Sequence, residues 1–136
     1  MEIIQKELEI MRMWMIEPRF LCNQHLLGEH GEIHKHRHNF EKQHKMTKRI
    51  FPVTQIEPSR MGERHDELAH EMTIRGMNHQ SPFIQPSISY LPLDQQHATV
   101  NPIVSIKDLW ARCELCRERM NDSFDEEFKV EWELIP

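Results

Sequence analysis

Leu26, Ile33 and Phe40 recur at seven-residue spacing, and Leu27 and His30 lie beside them. At 100° per residue these positions make one apolar stripe of a helix. His25, Glu29, Glu32 and His36 fall at i, i+4, i+7 and i+11 and line the other, polar face. Gly28, one turn before Glu32, places no side chain there, which leaves that carboxylate open to close approach. The spacing predicts a first helix from about residue 20 or 23 into the forties.

Upstream, residues 1–10 form a short extension in which Ile3, Ile4 and Leu8 share one face of a marginal helix. Met13-Trp14-Met15-Ile16 is an apolar run interrupted by Pro18, which reads as packed chain rather than helix interior. Pro52 and Pro58 punctuate a basic loop between Gln43 and Ser59. A second helix begins near Ser59 as N-cap, carries Met61, Leu68, Ala69 and Met72 inward and stops at Gly76, with Met77 placed for the apolar contact after a glycine cap. Pro82, Pro86, Pro92 and Pro102 forbid a long helix over residues 80–104, where Phe83, Ile84, Ile88, Tyr90 and Leu91 predict an ordered wrapping segment. Ser105-Ile106-Lys107-Asp108 resembles a capping box that opens a third helix, and Leu109, Cys113, Cys116 and Met120 follow as its buried stripe.

The predicted fold is therefore all-α: one compact domain of three main helices with long proline-containing connections. Residues 1–10 are read as an N-terminal extension, 11–121 as the helical domain and 122–136 as an acidic tail. In that tail acids alternate with Phe124, Phe128, Val130, Trp132 and Leu134, the pattern of a short strand or of a peptide that docks on a protein partner.

Composition narrows the function classes. A chain of 136 residues can bury about two-thirds of its extended surface, and only four glycines argue against a turn-rich β fold. No apolar run is long enough to span a bilayer and no basic start leads into an apolar stretch, so neither membrane insertion nor secretion is expected. Three cysteines, an odd number, suit a reducing cytoplasm better than a disulfide framework. The net charge of −5 is unevenly spread. Lys35, Arg37, Lys42, Lys45, Lys48 and Arg49 face one acid, Glu41, across residues 35–49, whereas residues 114–133 hold eight acids against three basic residues. The basic run continues from the helix that bears Glu32 and would neutralise several phosphates of a nucleic acid.

Metal chemistry has two sequence leads. His30 and His34 have chelating i, i+4 spacing, but Glu32 stands one place too late for the His-Glu-x-x-His pattern. Cys113 and Cys116 have ligand spacing, yet only Cys22 and scattered histidines remain to complete a set, and both sulfurs fit the third helix's core stripe. No metal and no cofactor is expected.

Gln24-His25-Leu26-Leu27, then Glu29, Glu32-Ile33 and Lys35, resembles the first long helix of the bacteriophage pyrimidine-dimer DNA glycosylases, the endonuclease V of dimer-specific type. Arg64-His65-Asp66-Glu67-Leu68-Ala69-His70-Glu71-Met72, followed by Arg75-Gly76-Met77-Asn78, is similar to that family's second helix and the turn that ends it. With Met11-Arg12 the two segments cover about half the chain, in the family's order. The resemblance implies base excision at pyrimidine dimers or related lesions, with abasic-site lyase activity, in the cytoplasm of a bacterial host cell. It puts Glu32 at the catalytic glutamate and Met11 at the residue whose α-amine is the nucleophile. As an internal residue Met11 has only an amide, so two readings stay open: synthesis begins at Met11, with large Arg12 preserving that methionine, or the extension is real and lyase chemistry is lost. Arg12, Gln24, His25 and Lys35 would contact DNA; Lys35 replaces an arginine, which keeps charge but loses the bidentate fork. Gly31 stands where the family has a phosphate-contacting arginine. The alternative is a catalytically lost member serving as a DNA- or protein-binding accessory factor.

Overall fold

The protein is described by a computed structural model over residues 12–78 and 81–123. The extension at 1–10, Met11 and tail positions 124–136 lie outside the described residues. The first long helix, α1, spans Asn23–Glu41. Cys22 ends the preceding turn in extended backbone and caps α1 with its sulfur, which accepts the His25 N–H at 3.5 Å. Leu26, Ile33 and Phe40 are buried as the apolar stripe requires, but Leu27 points outward at 47% exposure. The opposite face is not a solvated one: His25, Glu29 and His36 are buried too.

What buries that polar face is a desolvated ion pair with α3, Met61–Ile74. Arg64 grips Glu29 side-on, with Nε 2.6 Å from one carboxylate oxygen and Nη2 3.0 Å from the other. Its remaining nitrogen, Nη1, donates to the Ile16 carbonyl at 2.7 Å. Met15 takes a left-handed backbone (φ 58°), and the N–H groups of Trp14 and Met15 both serve the Glu29 carboxylate. Burial raises the Glu29 carboxyl's pKa, against the pull of Arg64 and those two amides. The apolar run before α1 is thereby fixed as packed chain, with Met13, Trp14 and Ile16 in the core.

At its N-terminus α3 departs from expectation. Residues Pro58–Arg60 form a 3-10 turn, so Ser59 is not the cap and no side chain caps the helix. Its C-terminus follows the predicted form: Gly76 adopts φ +79°, its N–H reaches the Thr73 carbonyl, and the Met77 N–H reaches that of Met72 at 2.9 Å. Arg75 then ties this end of α3 to the start of α1, donating to the carbonyls of Pro18 and Leu21 and to Asn23 Oδ1.

Six helices, not three, occur among the described residues, and no strand does. The all-α class holds. Two of the additions are single turns, α2 at Thr47–Ile50 and α4 at Leu93–Gln96. The third comes from a split, because the expected third helix is two: α5, Pro102–Arg112, and α6, Glu114–Ser123. Asn101 caps α5 through its side-chain oxygen, which accepts from Ile103 and Val104, and Pro102 takes the first turn. Ser105, expected as the cap, is a buried helical residue. Cys113 breaks the run with extended backbone (φ −121°, ψ 104°). Buried Glu57 fixes the approach to α5 by accepting the Val100 N–H at 2.7 Å. Among the described residues no helix is long and apolar enough to cross a membrane.

Removing one member of a buried ion pair strands the other's charge. Arg64→Met is expected to cost about 3–5 kcal/mol in denaturant unfolding, and the double variant Glu29→Leu/Arg64→Met to recover a large part of it. A loss below about 1 kcal/mol for Arg64→Met would show that the pair does not hold α1 to α3.

Candidate active site

Glu32 sits in the middle of α1 and is the member of its polar face that keeps solvent access, with 15% of its side chain exposed. One turn on, buried His36 brings Nε2 to 3.1 Å from one carboxylate oxygen, and Lys35 Nζ lies 3.9 Å from the other. The Asn39 amide nitrogen is 3.3 Å from His36 Nδ1; with the amide as donor, the ring proton sits on Nε2 and faces Glu32. Burial works to raise the Glu32 carboxyl, but the His36 hydrogen bond and the charges of Lys35 and Arg49 outweigh it and hold it below the ordinary value.

Arg49 links this carboxylate to the start of the described chain. Its guanidinium donates to Gln55 Oε1 at 2.9 Å, its carbonyl accepts the Gln55 N–H at 2.8 Å, and the Gln55 carbonyl accepts the Met13 N–H at 2.9 Å. Arg12 itself is largely buried. Its guanidinium stacks 4.5 Å over the Trp14 ring and lies 3.4 Å from Asp108, and burial lowers its pKa against Asp108's opposing charge. Arg12 thus lines an open cleft with Val53, Thr99, Asn101 and Val104 rather than standing free as a phosphate contact.

The other expected DNA contacts divide by exposure. Gln24, Lys35, Lys42, Lys45 and Lys48 are exposed, and Arg37 is half-buried, paired with Glu41 and lying over Phe83. A side chain at Gly31 would meet open space, so its missing arginine has no steric cause. His25 is turned inward, and the DNA contact expected of it gives way to a different environment. Its Nδ1 faces three sulfurs, at 3.2 Å from Cys22, 3.5 Å from Cys113 and 3.4 Å from Cys116. Hydrogen bonding from Cys116, against burial and with help from His25, pulls the Cys22 thiol down to about 3, and the same contact raises Cys116. A second group, His30, His34 and His65, brings its ring nitrogens within 4.8 Å of one another, with Phe83 stacked on His65.

A family model for pyrimidine dimer DNA glycosylase matches residues 11–85. The chain belongs to this family. It is therefore a DNA-repair glycosylase at family level, with DNA as its substrate. No curated protein and no solved structure matches the chain. The matched span holds α1, α2 and α3, and with them Glu32, His36, Arg49 and the Glu29–Arg64 pair. It ends before Cys113 and Cys116. Sequence reasoning missed Arg49 and Arg64 as partners of the glutamate helix; only the position of Arg64 within the similar second segment pointed to it.

The lowered Glu32 carboxyl fixes a sign for pH dependence. Its contribution to stability is fully present above the ordinary value of 4.5 and is lost as pH falls through the lower folded value. Carboxyl-carbon NMR should give Glu32 a midpoint below 4.5 that rises in His36→Asn. A midpoint at or above 4.5 in the unaltered chain would contradict the site described.

Proposed function

We propose that this family member excises pyrimidine dimers from duplex DNA and cleaves the strand at the resulting abasic site, with the α-amine of a chain beginning at Met11 as nucleophile and Glu32 as the acid–base group. The observation that carries this reading is Glu32 itself: a carboxylate kept ionised by His36 and Lys35, yet reachable from solvent, on an otherwise buried helix face. The Met13–Gln55–Arg49 links support it by bringing the chain's entry toward the same carboxylate.

An α-amine with a pKa near 8 has an appreciable neutral fraction at pH 7. Its lone pair attacks C1′ of the damaged nucleotide, the glycosidic C–N bond breaks, and the base departs with that electron pair and gains a proton. The amine sheds its extra proton, and the sugar's C1′–O4′ bond opens with its electron pair going to O4′, which is protonated. The ring-opened sugar remains on the amine as an iminium, whose positive charge the Glu32 carboxylate stabilises. Loss of the C2′ proton to Glu32 sends electrons through the enamine and expels the 3′ phosphate; water then releases the sugar from nitrogen. A nucleotide must leave the stack for this attack, and a damaged site lowers the cost. Exposed Lys35, Lys42, Lys45 and Lys48, with half-buried Arg37, supply phosphate contacts. At an internal Met11 the nitrogen's lone pair is delocalised into the amide, and attack stops there.

Borohydride reduces the iminium to a stable adduct. The chain started at Met11 should trap on dimer-containing and abasic duplex DNA, with Glu32→Gln slower by about 100-fold or more. Absence of an adduct in that form, with DNA binding intact, would leave an accessory DNA binder in place of an enzyme.

A further inference from the structure

Cys22, Cys113 and Cys116 are all the cysteines the sequence has, and they converge on one imidazole from positions 91 residues apart. We propose that Cys22, His25, Cys113 and Cys116 form a tetrahedral structural zinc site that staples the start of α1 to the junction of α5 and α6.

The distances fit that ion. Zn–S bonds near 2.3 Å and Zn–N bonds near 2.0–2.1 Å on a regular tetrahedron set sulfurs about 3.8 Å apart and nitrogen about 3.6 Å from each sulfur. Cys22 Sγ and Cys113 Sγ are 3.9 Å apart, and His25 Nδ1 is 3.2, 3.5 and 3.4 Å from the three sulfurs. All four ligand atoms lie within 4.8 Å of one another. A disulfide needs S–S near 2.05 Å and would leave the third thiol and the imidazole facing it.

The surroundings are those of thiolates. Each sulfur accepts one backbone N–H: Cys22 from His25 at 3.5 Å, Cys113 from Cys116 at 3.4 Å, and Cys116 from Cys22 at 3.2 Å. Such amide donors spread the negative charge of metal-bound sulfur and fix its direction. The Trp14 ring meets the His25 ring edge-on at 5.6 Å and holds its orientation. The break at Cys113 has a purpose in this arrangement, because a continuous helix would keep that residue on the stripe of Leu109 instead of turning its sulfur toward Cys22. Binding displaces three thiol protons and leaves Zn²⁺, three thiolates and a neutral imidazole, a net charge of −1. Four protein ligands close the coordination shell, so the ion's role is structural. Two ligands lie inside the family-matched span and two beyond it, so the site joins the C-terminal helices to the helix of Glu32.

Elemental analysis of the purified full chain, expressed with zinc present, should give about one zinc per chain, and Co²⁺ exchange should give the d–d absorption and thiolate charge transfer of a tetrahedral site. Cys113→Ser and Cys116→Ser should weaken zinc at least about 100-fold in competition with a chromophoric chelator. Two further variants keep the result clear of misfolding: His25→Cys should retain zinc with stronger cobalt charge transfer, and His34→Gln, which alters the three-histidine group, should retain it unchanged. A full chain that binds neither zinc nor cobalt overturns the proposal, as does a Cys113→Ser chain that holds zinc as tightly as the original.

Discussion

Burying a carboxylate is expensive unless its charge and its lone pairs are all met, and Glu29 is met on every side. Arg64 takes both oxygens in a fork that lysine could not reproduce, and two successive backbone amides supply further donors. The arginine's last nitrogen is used on the Ile16 carbonyl. One interaction therefore fixes three things together: the axial position of α1, the face that α3 presents to it, and the path of the chain from Trp14 to Ile16. Everything nearer the candidate active site depends on that position, since Glu32 follows Glu29 by less than one turn.

With Glu29 committed to Arg64, His25 to the sulfurs and His36 to Glu32 and Asn39, the polar side of α1 is used for construction. Glu32 is the exception. His36 beneath it and Lys35 and Arg49 around it favour its ionised form, while its partial exposure leaves room for a ligand. Under the proposed function, that fixed negative charge would stand against the cationic charge that develops in amine-based excision. Exposed Lys42, Lys45 and Lys48 continue a positive patch beyond α1 although the chain's net charge is −5.

Where a signal is local, the sequence displays it well. Leu26, Ile33 and Phe40 on α1, and Met61, Leu68 and Met72 on α3, follow from helical period alone, and the Gly76–Met77 turn follows from glycine's tolerance of positive φ. The polar face of α1 misled because its partners are remote; Arg64 is 35 residues from Glu29, and no periodicity reports it. The start of α5 was displaced because Asn101-Pro102 competes with Ser105-Asp108 as an opening signal, and a cap followed by proline at the first helical position prevails. Cys113 and Cys116 sit at offsets that suit a core stripe and a ligand pair equally, and the break between α5 and α6 carries neither glycine nor proline to announce it. Glu32 was legible through resemblance, and His36 through its place one turn later; Arg49 and Asn39 became visible only in three dimensions.

The molecule thus reads as a family-matched unit, residues 11–85, gripped by later helices at the two ends of the glutamate helix's approach: Asp108 on Arg12, and the α5–α6 junction on Cys22 and His25. Arg64 anchors α1 at Glu29 and so holds the helix in place about Glu32. Native-state hydrogen exchange at the amides of Glu32, Ile33 and His36 tests this directly. They should exchange only through global unfolding in the intact chain and through a lower-energy local opening in Arg64→Met. Local opening at those amides in the intact chain, unchanged by the substitution, would contradict the account.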